Sequence, residues 1–230
     1  MHAVILAAGE GSRMGPHTAD VPKAFMDLAG RTLYDRQRAA IDPHVDTVTV
    51  VLGYRAAAVV DEVGDARPVV FDDWADYENA ESLRRGLAGV DDDVLVVNGD
   101  VLVTGSAVAR LVGRHEGFPA GRSAVASIPG VQEGATAIRC DDDGIVVDYG
   151  MIHGHRHAGL GIVDRDYLDA AREWLGRNRT EWYPGLYTTV ETGMVAIPPD
   201  HHVEINRPRD KVAALSKLPL GTTEGLDLHT

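Results

Sequence analysis

The sequence contains a single cysteine, Cys140, among its 230 residues. One thiol excludes an intrachain disulfide framework and any zinc site built from several cysteines. No apolar run approaches the roughly 20 residues that a membrane-spanning helix needs. Residues 1–6 also lack the basic region of a secretory signal peptide. We therefore expect a soluble, cytoplasmic protein without membrane insertion, long enough to fold around its own core without disulfides.

Positive charge is scarce as well, because 22 Lys and Arg residues stand against 35 Asp and Glu residues, for a net charge of −13. Such a chain repels a phosphate backbone, which argues against nucleic-acid binding. Only three residues are lysines, and Asp outnumbers Glu by 24 to 11. This pattern is typical of salt-accumulating halophiles, where concentrated salt screens surface repulsion. A GC-rich genome that favours Arg, Ala, Asp and Val codons is the alternative explanation.

Strand and helix signals alternate along much of the chain, which predicts an α/β fold. The predicted strands are 2–8, 47–52, 68–71, 94–98, 188–197 and 202–206. The predicted helices are 32–42, 56–64, 79–89, 105–115, 166–178 and 208–217. Short strand candidates separated by Gly, Pro and Asp, which favour antiparallel hairpins, lie at 122–128, 135–140, 144–149 and 158–163.

These elements predict one domain over residues 1–230, a three-layer α/β/α sandwich with a mixed, mostly parallel central sheet. We expect a small antiparallel excursion, at about 120–165 and 180–200, to cover one side of the site. Residues 218–230 lack hydrophobic periodicity and are expected to form a mobile tail.

A glycine-rich loop follows the first strand, in the segment L-A-A-G-E-G-S-R-M-G at residues 6–15. Such a loop is a candidate phosphate site, because backbone N–H groups approach an anion there without interference from Cβ atoms, and a glycine-rich surface turn is the alternative. The spacing departs from G-x-G-x-x-G by one residue, and the G-K-[ST] ending of the P-loop is absent. Arg13 adds a fork of donors for phosphate oxygens, and Lys23 adds a compact cation after Pro22.

Oxygen donors stand near the ends of two later strands. Asp100 follows the buried run 94–98, at the carboxyl end where open α/β sheets bind ligands. Magnesium prefers such hard oxygen ligands, so Asp100 is a candidate metal ligand, with turn capping as the alternative. Glu204 and Asn206 are further candidates; the alternatives are a solvent-facing strand position for Glu204 and an Asx turn for Asn206.

Together these motifs resemble the nucleotidyltransferase superfamily of sugar-nucleotide and CDP-alcohol pyrophosphorylases. Residues 6–14 with Pro22-Lys23 match the family pattern L-A-A-G-x-G-x-R-[ML] followed by P-K. The V-N-G-D segment at 97–100 matches the strand whose aspartate binds the catalytic magnesium. Residues 204–210 resemble the late segment E-I-D-T-P-E-D, which closes the metal site, with Asn206 in place of the usual aspartate. The resemblance covers nearly the whole chain.

The resemblance implies Mg²⁺ as the cofactor, held by Asp100 with Glu204 or Asn206. It also implies an NTP and a small phosphorylated acceptor as substrates, with pyrophosphate released. Arg13 and Lys23 would be the catalytic cations. The implied nucleotide-binding residues are Leu6, Ala7, Ala8, Gly9, Gly11, Asn79, Ser82 and Gly99.

The segment N-A-E-S-L at 79–83 resembles the N-x-x-S-L stretch of phosphocholine cytidylyltransferase-like members. This favours CTP with a phospho-alcohol such as phosphocholine, although simple helix capping by Asn79 is an alternative. A sugar-1-phosphate nucleotidyltransferase and a non-catalytic nucleotide-binding regulatory protein remain as alternative functions. The sequence leaves a homodimer open.

Histidines and aromatic residues form weaker groups. His153, His155 and His157 alternate, but nothing near them has metal-ligand spacing, so we expect a polar hairpin edge. The pair His201-His202 is expected at the surface. Five aromatic residues could supply a box for a quaternary ammonium group, although core packing is favoured for each: Trp74, Tyr77, Trp182, Tyr183 and Tyr187.

Overall fold

The computed structural model describes residues 1–131 and 135–217, so the tail predicted at 218–230 lies outside the described residues. Its strands are β1 (His2–Ala7), β2 (Thr47–Leu52), β3 (Arg67–Val70), β4 (Val94–Asn98), β5 (Val101–Val103), β6 (Ser123–Ile128), β7 (Ala137–Cys140), β8 (Val146–Gly150), β9 (His155–Val163), β10 (Thr192–Ala196) and β11 (His202–Glu204). Its α-helices are α1 (Leu33–Ile41), α2 (Asn79–Gly86), α3 (Gly105–Glu116), α4 (Leu168–Arg177) and α5 (Pro208–Lys217).

The central sheet has the strand order β10-β6-β9-β4-β1-β2-β3. All neighbouring pairs are parallel except the two that involve β9, which runs antiparallel to β4 and to β6. The register aligns Leu6 with Val51 on one side and with Asn98 on the other. The carboxyl ends of β1, β2 and β4 therefore meet at one edge of the sheet, as the doubly wound pattern requires.

Helices cover both faces of this sheet. Because side chains alternate along a strand, Ile5 faces one layer and Val4 the other. The first layer contains apolar residues of α1 and α3, and the second contains those of α2 and α4. The predicted three-layer sandwich with a mixed, mostly parallel sheet is confirmed.

The antiparallel excursion is smaller than the sequence indicates. The predicted strands 122–128 and 158–163 become β6 and β9, which lie inside the central sheet. What leaves the sheet is the hairpin β7–β8, joined to it where β7 pairs with β9. Strands β5 and β11 form a separate two-stranded sheet. The predicted strand 202–206 contains β11, but β5 was missed because it has only three residues and follows β4 directly.

Two further predictions differ from the structure. Residues 56–64 form two short 3₁₀ turns, not one helix, because Val59 between them adopts φ −134°. The strand predicted at 188–197 is confined to β10, and a 3₁₀ segment occupies Tyr183–Thr188. Within the described part of the chain, no helix combines the length and the apolar character needed to cross a bilayer.

Candidate functional site

The carboxyl ends of β1 and β4 open into a cleft of about 770 Å³. All thirteen residues that the sequence analysis proposed for the site line this cleft. They are Leu6, Ala7, Ala8, Gly9, Gly11, Arg13, Lys23, Asn79, Ser82, Gly99, Asp100, Glu204 and Asn206. The structure thus brings the predicted site together, while the role of each residue stays a prediction.

The glycine-rich loop is shaped around the lysine that follows it. Gly11 adopts φ 66°, a left-handed conformation that glycine accepts without strain. A Cβ at Gly11 would lie 3.0 Å from Cβ and Cε of Lys23, so a larger residue would press on this side chain. The absence of a side chain at Gly11 therefore lets Lys23, only 9% exposed, reach the cleft.

Two cations converge on two oxygen donors at the centre of the cleft. Nζ of Lys23 lies 3.2 Å from Oδ2 of Asp100 and 3.2 Å from Oδ1 of Asn206. Arg13 donates from Nη2 to the same amide oxygen over 2.7 Å. These contacts join the glycine-rich loop, the end of β4 and the segment after β11 in one charged cluster.

The backbone around Asp100 is held from two directions. The N–H of Gly99 donates to the carbonyl of Leu6 over 2.9 Å, and a Cβ at Gly99 would lie only 2.5 Å from that oxygen. Buried Gln37 donates from Nε2 to the carbonyls of Asn98 and Val101, each over 2.8 Å. Sequence reasoning missed Gln37, whose only signal was a polar residue on the apolar face of α1.

Glu204 and Asn206 complete a set of hard oxygen donors. The Asn206 amide donates from Nδ2 to Oε1 of Glu204 over 2.5 Å, which leaves its Oδ1 facing the cations. Burial and the negative charge of Asp100 raise the pKa of Glu204, and the hydrogen bond from Asn206 opposes this shift only in part. Two crowded carboxylates and an amide oxygen suit Mg²⁺, so the residues present fit the implied metal.

Asn79 and Ser82 form part of another wall, on the first turn of α2. The helix begins at Asn79, so the N-cap residue is Glu78 and not Asn79. Capping by Asn79 would require the helix to begin one residue later. Oδ1 of Asn79 instead accepts from the N–H of Tyr183 over 2.7 Å and fastens α2 to the segment before β10. Ser82 is buried and lines the cleft.

The histidine predictions are partly wrong. His153 and His155 are exposed, but His157 is buried and lines the cleft. Its Nδ1 accepts from the N–H of Gly159, and burial lowers the pKa of its imidazole to about 4. His202 is also buried, at 3% exposure, because its side chain lies on the inward-facing side of β11. A surface interpretation based on polarity failed for both residues.

The aromatic residues divide between two environments. Trp74, Tyr77 and Trp182 line the cleft. Tyr183 and Tyr187 are fully buried in the second core layer, as favoured from the sequence. Trp182 donates from Nε1 to Oε2 of Glu78 over 3.1 Å, which places a carboxylate beside an indole in the cleft wall.

A phosphate-type loop at the end of β1, opposed by hard oxygen donors beyond β4 and β11, is the architecture of a nucleotidyltransferase. A family model for the MobA-like NTP transferase domain matches residues 3–183, and the chain belongs to this family.

Solved structures show the same fold. The CTP:phosphocholine cytidylyltransferase of Streptococcus pneumoniae superposes with a TM-score of 0.76 at 19% identity, covering 94% of this chain and 98% of that one. The inositol-1-phosphate CTP transferase of T. maritima gives a TM-score of 0.73 at 19% identity, covering 96% and 97%.

Among curated proteins, the CMP-5'-(3-aminopropyl)phosphonate synthase of Streptomyces rubellomurinus is 30% identical over 166 residues, 69% of this chain and 26% of that protein. The chain spans about a quarter to a third of the length of the curated relatives it matches.

Proposed function

We propose that the protein is a Mg²⁺-dependent nucleotidyltransferase that transfers CMP from CTP to a small phosphorylated alcohol, or a similar phosphonate, and releases pyrophosphate. The observation that carries this proposal is the cluster in which Lys23 and Arg13 meet Asp100 and Asn206. Cations of the phosphate loop and oxygen donors for a metal share one cleft, as transfer of a nucleotidyl group requires.

The cationic residues of the cleft and its oxygen donors have different roles in the proposed reaction. Arg13 and Lys23 would neutralise the triphosphate and the departing pyrophosphate, while the N–H groups of the loop would orient the phosphates. Asp100, Glu204 and Asn206 would hold Mg²⁺, which when bound neutralises phosphate charge and polarises the reacting phosphorus centre. No covalent enzyme intermediate is required, because the acceptor oxygen attacks the α-phosphorus directly as pyrophosphate leaves.

The preference for CTP and an amine-bearing acceptor rests on the other walls of the cleft. Asn79 and Ser82 stand on α2, in the segment resembling cytidylyltransferases. Glu78 and Trp182 combine a carboxylate with an aromatic ring, a pair that attracts a cationic group. The curated relative from Streptomyces and the two solved neighbours are named for cytidylyl transfer, which supports the same choice.

A pyrophosphate-release screen tests the proposal. CTP, UTP, GTP and dTTP are each combined with phosphocholine, an aminoalkylphosphonate, inositol 1-phosphate and glucose 1-phosphate in the presence of Mg²⁺. We expect release with CTP and one of the first two acceptors. Release only with glucose 1-phosphate would support a sugar-1-phosphate nucleotidyltransferase instead, and nucleotide binding without release in any combination would support a regulatory protein.

A matched pair of variants assigns the activity to this cleft. Asp100→Asn should abolish most of the release, since it removes a carboxylate ligand while keeping the shape of the side chain. Asp61→Asn is the control, because Asp61 is exposed and does not line the cleft. Equal loss in both variants would point to a general effect and not to the cleft. A cytoplasmic location is part of this proposal, because the nucleotide substrate is cytosolic. Light scattering tests whether the protein forms the homodimer that the sequence leaves open.

A further inference from the structure

Three side chains meet at the end of the central sheet opposite the cleft. Asp93 immediately precedes β4, His115 lies in the last turn of α3, and Asp164 immediately follows β9. One potential ligand atom from each lies within 4.8 Å of the other two. Asp93 and Asp100 flank opposite ends of β4, a distance of roughly 20 Å at about 3.3 Å per residue. The cluster is therefore separate from the catalytic oxygen donors.

The imidazole of His115 is oriented by the backbone. Its Nδ1 lies 3.1 Å from the carbonyl oxygen of Arg122, and since a carbonyl only accepts, Nδ1 carries the proton. Nε2 then faces Oδ2 of Asp93 at 3.7 Å and Oδ2 of Asp164 at 3.9 Å. His115 is only 7% exposed. Three electron-pair donors thus converge on one point, at separations beyond hydrogen-bond length.

The outer atoms of both carboxylates are engaged by the backbone. Oδ1 of Asp164 accepts from the N–H of Asp166 over 2.9 Å, and Oδ1 of Asp93 accepts from the N–H of Arg165 over 2.9 Å. The other oxygen of each carboxylate, Oδ2, faces Nε2 of His115, and Oδ2 of Asp93 also accepts from Nη2 of Arg165 over 3.2 Å. Protein metal ligands are oriented by outer hydrogen bonds of this kind, in which histidine donates its other N–H to a carbonyl or carboxylate.

The repulsion among these three electron-pair donors would be relieved by a proton on Nε2 of His115 or by a metal ion between them. A protonated imidazole would make a charge-assisted hydrogen bond of roughly 2.7–2.9 Å, well below both observed separations. Zinc ligands lie about 2.0–2.2 Å from the ion, which spaces neighbouring ligand atoms by roughly 3.0–3.6 Å. The observed separations of 3.7 and 3.9 Å are closer to the spacing of zinc ligands. A small inward movement of each side chain would bring the three atoms to that spacing.

We propose that Asp93, His115 and Asp164 bind a zinc-type divalent cation, with water completing its coordination. The single imidazole favours zinc over magnesium or calcium, which prefer oxygen alone. Arg165 also donates from Nη2 to Oδ2 of Asp93 over 3.2 Å, so the ion would share this oxygen with the guanidinium group, which offsets part of the negative charge of the two carboxylates. The ion would fasten the end of α3 to the ends of β4 and β9, independently of nucleotidyl transfer.

The experiment is a zinc titration of the full chain in excess Mg²⁺, with bound zinc measured after dialysis and the melting temperature recorded in parallel. We expect one zinc ion per chain and a melting temperature that rises with zinc. His115→Gln should weaken zinc binding by at least about 100-fold, since losing even an outer partner of a ligand costs roughly 10–100-fold. Zinc bound equally well by this variant would overturn the proposal.

Two controls separate this site from others. Asp100→Asn removes a carboxylate of the cleft, and His201→Gln removes a histidine outside the cluster that bonds to Thr104 and Ser106. Both should retain the zinc ion of the parent. If Asp100→Asn abolishes zinc binding, the ion occupies the catalytic cleft and the proposed site is wrong.

A measurement on the unmodified protein covers the case in which His115→Gln fails to fold. Cobalt(II) replaces zinc in sites of this type, and a four-coordinate ion absorbs visible light more strongly than hydrated cobalt. We expect such bands in the presence of excess Mg²⁺, and their disappearance when zinc is added. A spectrum identical to that of hydrated cobalt would overturn the proposal.

Discussion

At the scale of single residues, Lys23 is the centre of the proposed catalytic site. Its ammonium group contacts both Asp100 and Asn206, and its stem passes over Gly11. We expect Lys23→Ala to lower turnover by about 10²–10³-fold, the cost of removing one donor that stabilises developing charge. Steady-state rates of pyrophosphate release measure this, with Lys211→Ala, a lysine outside the cleft lining, as the control. Turnover equal to that of the control would remove Lys23 from the mechanism.

A substitution at Asn206 tests the metal site by adding a carboxylate, whereas Asp100→Asn removes one. Asn206→Asp replaces the Nδ2 group that donates to Glu204 with an oxygen, which increases repulsion between the carboxylates when no Mg²⁺ is bound. Arg13 and Lys23, which contact Oδ1, offset this repulsion only in part. We expect the variant to melt at a lower temperature without Mg²⁺ and to gain more from added Mg²⁺ than the parent does. Melting curves with and without Mg²⁺, together with Mg²⁺ titrations of activity, measure both effects. Weaker Mg²⁺ binding in the variant would show that the site requires a neutral ligand.

At the scale of elements, α2 is joined to the segment before β10 by a buried ionic cluster. The carboxylate of Glu81 is fully buried and accepts from Arg84 over 2.6 Å, from Arg85 over 2.7 Å and from Arg179 over 2.9 Å. Burial alone would raise the pKa of Glu81, but the hydrogen bonds from the three guanidinium groups lower it to about 2. The cluster therefore fixes the wall of the cleft that carries Asn79 and Trp182.

Glu81→Gln should destabilise the fold by about 3 kcal/mol at pH 7, the low end for a broken buried pair because the guanidinium groups are partly exposed. The folded pKa of Glu81 lies below the unfolded value, so its contribution is present above about pH 4.5 and is lost as the pH falls towards about 2. Urea unfolding at pH 7 and pH 3 measures the difference. A gap between parent and variant that does not narrow at pH 3 would contradict the ionic explanation.

The sequence predicted elements whose signals are local, and missed those that depend on distant partners. The loop after β1 and the aspartate after β4 were found because each follows a buried strand directly. Glu81 has Arg84 and Arg85 at helical spacing, but nothing in the sequence connects it to Arg179. Similarly, β6 and β9 have the length of hairpin strands, and only their pairing places them inside the central sheet. Non-local pairing also explains why Gln37 was missed.

At the scale of the whole molecule, charge is the dominant feature that the fold does not explain. The net charge is −13. In the described part of the chain, most ion pairs join an Asp or Glu side chain to an arginine. Salt weakens such exposed attractive pairs, but each of them contributes only about 0–1 kcal/mol. Repulsion among the excess carboxylates acts over longer distances and opposes the compact state. Screening should therefore stabilise the protein overall.

We expect the melting temperature to climb between 0.1 and 3 M KCl, as the Debye length falls from about 10 Å at 0.1 M to about 3 Å at 1 M. Nucleotide affinity should fall or stay level over the same range, because screening also weakens the attraction of Arg13 and Lys23 for phosphate. Thermal melts and nucleotide titrations on the same samples measure the two trends. The buried cluster around Glu81 is screened less than exposed pairs, so Glu81→Gln should show the same salt slope as the parent. A melting temperature that stays flat or decreases would reject the halophile interpretation and leave codon bias as the explanation of the composition.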